Sequence, residues 1–93
     1  MTDRELLEMA AKAAGYKGWT ADWWSMCDGE NHWDPLRHNG QALRLVVKLK
    51  LKGAFDEVWV ISWTSISEYE AEPYAATRRA IVRAAANIGK TMP

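Results

Sequence analysis

The stretch 73–89, Pro-Tyr-Ala-Ala-Thr-Arg-Arg-Ala-Ile-Val-Arg-Ala-Ala-Ala-Asn-Ile-Gly, restricts the fold of this chain more than any other. Both of its ends are marked. Proline suits a first helical turn, where a missing N–H costs nothing, and glycine suits the left-handed residue just past a helix end. Pro73 and Gly89 therefore predict one helix between them. At about 100° per residue, Tyr74, Thr77, Ile81, Ala84, Ala85 and Ile88 share a stripe, with Arg79, Arg83 and Asn87 opposite. Half of that stripe is small, so its neighbour must come close, as a helix or the face of a sheet does.

A chain of 93 residues makes one domain, 1–93, with one modest core. Its formal net charge of zero argues against a general polyanion binder, because phosphate contacts need surplus Lys and Arg on one face. Six tryptophans supply much of the apolar area such a core needs. Cys27 is alone, which forbids an internal disulfide and points to a reducing compartment. No apolar run approaches the roughly 18 residues of a membrane span, and the first residues lack the basic-then-apolar order of a signal peptide. The expected location is the cytoplasm.

Thr2 and Glu5 have the spacing of a capping box, and Leu6, Met9, Ala10 and Ala13 recur at helical spacing until Gly15. This Ala-rich helix is able to lie close beside the last one. From residue 16 to 33 the pattern changes: Trp19, Ala21 and Trp23 alternate, and Asp28-Gly29 is a hairpin turn pair. Strands are expected around 23–27 and 30–33. Trp23 and Trp24 would then point to opposite faces, and the exposed one becomes a contact candidate. Asp34-Pro35 and Asn39-Gly40 are punctuation.

Residues 43–52 fit two readings. As a strand, Leu43, Leu45, Val47, Leu49 and Leu51 oppose Arg44, Lys48, Lys50 and Lys52; as a helix, Leu43, Val46 and Val47 form the apolar stripe and the helix finishes by about Leu49. Val58-Trp59-Val60-Ile61-Ser62-Trp63 is predicted as a central strand from its β-branched and aromatic residues and its unbroken apolarity. The acidic stretch 64–72 is expected to add an edge strand.

Two segments carry a resemblance. Trp-Asp-Pro-Leu-Arg-His-Asn-Gly-Gln-Ala-Leu-Arg-Leu-Val-Val-Lys-Leu at 33–49 and Glu-Pro-Tyr-Ala-Ala-Thr-Arg-Arg-Ala-Ile-Val-Arg-Ala-Ala-Ala at 72–86 together resemble a group of small phage and prophage proteins. In that group a Trp-Asn-Pro-Leu turn leads into an Ala-Leu-Arg-Leu helix, and a Pro-Tyr-Ala-Ala-Thr-Arg-Arg helix closes the chain. The group is similar to the phage ABA-sandwich domain, a sheet held between helices. The resemblance implies a helix for the ambiguous stretch and an α+β fold. It also implies an antiparallel sheet of about four strands packed with three helices in the order α-β-β-α-β-β-α. This chain departs from the group at Arg37-His38-Asn39-Gly40-Gln41, where the usual acidic turn is neutral to basic.

No reactive constellation stands out. Zinc could draw on Cys27, His32 and His38, but the spacing matches no standard finger and a second Cys is absent. A Cys27–His32 nucleophile pair lacks an oxyanion hole, and the simpler account is a buried thiol beside a turn-flanking imidazole. Glu68, Glu70 and Glu72 on an extended strand read as a solvated edge. Lys48, Lys50 and Lys52 beside aromatics suggest single-stranded nucleic acid, although the core has its own need of the tryptophans. Neither a catalytic residue, a metal nor a cofactor is expected.

The binding candidates are Arg79 and Arg83, one turn apart on the outward face of the last helix, together with Trp23 and Trp24; Trp and Arg are the residues most enriched at binding hot spots. Arg78 is expected to pair internally with the acidic segment before Pro73. From the resemblance follows the expectation of a non-enzymatic phage accessory protein. It would bind and inhibit a host protein or complex, such as a CRISPR or other defence component. A binder of nucleic acid or a signalling nucleotide is the alternative, and no membrane partner is expected.

Overall fold

The Thr2 hydroxyl accepts the Glu5 N–H at 3.2 Å while the Glu5 carboxylate reaches back to the Thr2 N–H at 3.4 Å, so the expected capping box starts helix α1, Asp3–Ala13. The computed structural model describes residues 2–15 and 33–92. After α1 come α2 (Asn39–Leu49), α3 (Glu57–Trp63), α4 (Ile66–Ala71) and α5 (Pro73–Thr91). There is no strand among the described residues. This overturns the α+β fold, its four-stranded antiparallel sheet and the ABA-sandwich arrangement. The hairpin expected before Trp33 lies outside the described residues.

The strand predicted at 58–63 is helix α3. Asp56 decides its start: the carboxylate accepts the Val58 N–H at 2.8 Å, a side-chain cap that satisfies one of the donors a helix N-terminus leaves open. Once helical, Trp59 and Trp63 fall one turn apart with ring centroids 6.2 Å from each other. Val60 is buried against Ala76 and Ala80, and Val58 stands 77% exposed. With five of these six residues apolar, the stretch is apolar on both faces of a strand and around most of a helix, so periodicity cannot separate the two. The edge strand predicted at 64–72 is α4, for a similar reason. Ser65 accepts the Glu68 N–H at 3.1 Å, and this Ser-x-x-Glu start was masked by the alternation of Glu68, Glu70 and Glu72.

Of the two readings of 43–52, the helix is the correct one, and it ends after Leu49. Lys50 takes the left-handed conformation at φ 54° and ψ 50°, and the Leu51 N–H returns to the Val46 carbonyl at 3.0 Å. That closure satisfies a helix-end carbonyl and turns the chain into the bend 52–55 instead of a strand. Before α2, the N–H groups of Arg37 and His38 both donate to the Asp34 carbonyl at 3.0 Å, and the buried Gln41 side chain accepts the Asp34 N–H. Trp33 and Pro35 are buried in this turn.

The other helices pack around α5. Its Ile81, Val82, Ala85 and Ala86 join Leu6, Ala10, Ala11 and Ala14 of the α1 segment, with Trp33, Ala42 and Leu45, in the main core; α3 and α4 cover its first half. Each fully buried branched side chain contributes about 1.5–3 kcal/mol relative to exposure. Pro73 opens α5 as expected, but the helix runs past Gly89 to Thr91. Gly89 is buried inside it, and a Cβ there would overlap the Met9 carbonyl oxygen and lie 2.8 Å from its carbon and 3.3 Å from the Ala13 nitrogen. The glycine therefore serves close approach of α1 instead of a left-handed terminus. As the small stripe demanded, a helix fills the near side of α5; the expected sheet does not.

Candidate binding site

Arg79 and Arg83 are engaged within the chain. The Arg79 guanidinium meets the Asp3 carboxylate at 3.0 Å and ties α5 to the first turn of α1. That hydrogen bond is the main reason the Asp3 carboxyl is held below its usual range; burial opposes it, and the charges of Arg79, Arg37 and Arg83 add to it. The Arg79 pKa is raised, first by the same bond. Arg83 donates to the Trp63 carbonyl oxygen at 2.8 Å and lies 3.8 Å from Glu68. It thereby satisfies a carbonyl at the end of α3 and joins α3, α4 and α5. Both side chains keep about a third of their surface in solvent, at 31% and 33%. Trp23 and Trp24, with Cys27 and His32, lie outside the described residues.

Arg78 pairs elsewhere than expected. Its Nε donates to the Leu36 carbonyl at 2.9 Å and its Nη1 to the Asn39 side-chain oxygen at 2.7 Å, so it braces the turn before α2 and leaves the acidic segment alone. The reason lies in how the helices pack: residue 78 faces α2, while α4 is met by Arg83.

Beside that brace, residues of α2 and α5 line an apolar groove of about 360 Å³. Leu43 of α2, Phe55 of the bend and Tyr74 of α5 stand along it, at 48%, 61% and 71% exposure, above a floor that includes Ala42 and Ile81. A volume of this order lies within the usual range of binding clefts. Val47, one turn after Leu43, is also exposed. The sequence placed Tyr74 and Leu43 on buried stripes. Tyr74 sits in the first turn of α5, before the first buried residue of that helix, Ala76, and Leu43 lies to the side of the core-facing Ala42 and Leu45. Phe55 could have been found: a lone aromatic in a Gly-Ala-Phe-Asp bend has no periodic face to bury it.

The same place carries positive charge. A hollow of about 330 Å³ is lined by Arg37, His38, Arg44 and Arg78, and it shares Asn39, Gly40 and Arg78 with the groove. The first turn of α2 holds no acidic residue, and the His38 side chain does not cap it. A Cβ built on Gly40 meets nothing within 4 Å, so the floor is open there.

Nothing else described resembles a reactive centre. No group of three His, Cys, Asp or Glu suitable for a metal ion occurs among the described residues. The three glutamates of 64–72 do not form an extended row: Glu68 and Glu70 are on α4, and Glu72 links it to α5. Lys48 is on α2, Lys50 is its left-handed cap and Lys52 lies in the bend. Among the described residues no helix is long and apolar enough to cross a membrane. No protein-family model, curated protein or solved structure matches the chain.

Proposed function

We propose that this chain is a non-enzymatic binding protein and that the groove between α2 and α5 receives apolar side chains of a partner protein. The observation that carries this reading is the trio Leu43, Phe55 and Tyr74, held largely in solvent on three separate elements around one apolar floor. Burying such side chains on association is favourable by about 25 cal/mol per Å², and a groove with a formed floor loses little entropy in receiving them. The resemblance to phage accessory proteins supplies the wider setting of the proposal: a cytoplasmic protein that inhibits a host macromolecule, with a defence component as the example. The arginine-lined hollow favours a second reading, a binder of nucleic acid or a signalling nucleotide, which predicts salt-sensitive quenching of tryptophan fluorescence by such ligands.

A random-peptide display selection on the immobilised full chain tests the main reading, with a Leu43→Glu, Phe55→Glu variant as the counter-target. Both positions are exposed, so the variant keeps the core intact. The expected result is a set of apolar-anchored peptides held by the wild type and released by the variant. Equal retention on both proteins, or no enrichment at all, would remove the reading.

A further inference from the structure

We infer that the protein filling the groove is a second copy of this chain, set about a two-fold axis that passes α2 near Leu43. This rests on the groove receiving protein side chains, and it names the protein that supplies them. Three observations carry it. The first is area. Val47, 70% exposed, continues the Leu43 row one turn further along α2, so it extends the apolar rim formed by Leu43, Phe55 and Tyr74. Monomeric proteins rarely leave contiguous apolar patches of more than a few hundred Å² open to water. These four side chains expose roughly 450 Å², and with the exposed Asn39 and Gly40 at their edge a two-fold contact covers about 1,000–1,200 Å² in total, which reaches the lower end of specific interfaces.

The second is self-complementarity. A two-fold interface uses one patch twice, so that patch must hold both a projection and a recess to receive it. On α2 they are Val47 and Gly40: Val47 stands in solvent, and Gly40 lines the groove with nothing within 4 Å of the place its Cβ would take. Seven residues separate them, two helical turns or about 10.5 Å, which keeps them on nearly the same face. Where two α2 helices run antiparallel across the axis, Val47 of each copy meets the Gly40 recess of the other, and Leu43, midway, lies beside the axis. A foreign protein needs only the recess. The third observation is charge. A chain of zero net charge does not repel its own copy. Arg37 is already paired with Asp34 at 3.6 Å, and Arg44 and Lys48 have interactions of their own, so these cations form a polar rim around the apolar contact.

Sedimentation equilibrium of the full chain between about 5 and 500 µM tests this, with Leu43→Glu plus Phe55→Glu and, separately, Gly40→Glu as variants. Glutamate suits the first turn of a helix better than glycine does and has open space at residue 40, so Gly40→Glu keeps the fold while it fills the recess. Expected is a wild-type dimer with a Kd of about 10–100 µM, weakened at least about tenfold in either variant. At about 2 µM, where the wild type is monomeric, the unfolding midpoint of Gly40→Glu should be no lower than that of the wild type. A wild type that stays monomeric to about 500 µM would overturn the inference, and so would a dimer that survives either variant. Sparse immobilisation holds the chain as separate monomers in the display selection, so the groove is open there. A monomeric wild type with peptides held by it and released by Leu43→Glu plus Phe55→Glu would give the groove to a different protein, overturning the second copy and leaving the groove reading standing. A monomeric wild type with no such peptides would overturn both.

Discussion

Gly89 of α5 faces the Met9 carbonyl of α1 across a gap with no room for a methyl group. Helix propensity alone predicts that Gly89→Ala stabilises the protein by about 1 kcal/mol, since glycine is a poor residue in a helix interior. The packing predicts the opposite. The atoms a new Cβ would strike are backbone atoms of a facing helix, which cannot rotate aside, so α1 must move as a body and loosen its contact with Ala85 and Ala86. Overpacking of this kind costs about 1–3 kcal/mol. Urea unfolding of Gly89→Ala should show a lower midpoint with an unchanged slope, and a higher midpoint would mean that the two helices leave room for a methyl group at residue 89.

The same pair of helices is joined at its other end by Asp3 and Arg79, and this contact gives stability a pH dependence. The hydrogen bond to Arg79 holds the folded-state Asp3 carboxyl below its usual value, so in the window between the two pKa values the unfolded chain binds more protons. The contribution is therefore complete above about pH 4, the ordinary carboxyl value, and is lost as pH falls through the depressed one. Asp3 is 60% exposed, which limits the pair to about 0.2–1 kcal/mol. A double-mutant cycle of Asp3→Asn and Arg79→Gln should return a coupling in that range at pH 7 that declines as pH falls below the ordinary carboxyl value. A coupling that persists in acid would assign the contact to packing instead of charge.

The sequence made the local signals plain wherever one residue decides them. Thr2 and Glu5 announce α1, Pro73 announces α5, and the Ala-rich faces of both predict that they lie together. It concealed what depends on the whole molecule. Trp59, Val60 and Trp63 read as a strand because apolarity on every side suits a strand buried on both faces; that Asp56 caps them into a helix is visible only once its carboxylate is seen on the Val58 N–H. Arg83 read as an outward cation because α5 seemed to have one buried side. In fact α1, α2, α3 and α4 surround it, and an arginine between two of them finds a carbonyl and a carboxylate. The groove was hidden for the complementary reason: apolar periodicity reports which residues can be buried, and Leu43 and Tyr74 are apolar without being covered.

Lys50 offers a test of how α2 ends. It is the one non-glycine residue with positive φ among those described, at φ 54°, and its Cβ crowds the following carbonyl in that conformation at a cost of roughly 1–2 kcal/mol. The conformation persists because it lets the Lys50 and Leu51 N–H groups both reach the Val46 carbonyl, and it places Leu51 against the core with Val46 and Leu49. Lys50→Gly removes the crowding and keeps the turn. Part of the gain is offset by the greater freedom of glycine in the unfolded chain, so a net stabilisation of about 0.5–1 kcal/mol is expected. A β-branched residue has the opposite effect, because its second γ substituent worsens the contact, and Lys50→Ile should lower the unfolding midpoint. If the order of stability were Ile above Lys above Gly, the stretch 43–52 would be extended after Leu49, and the sharp turn that presents Phe55 beside Leu43 would not form.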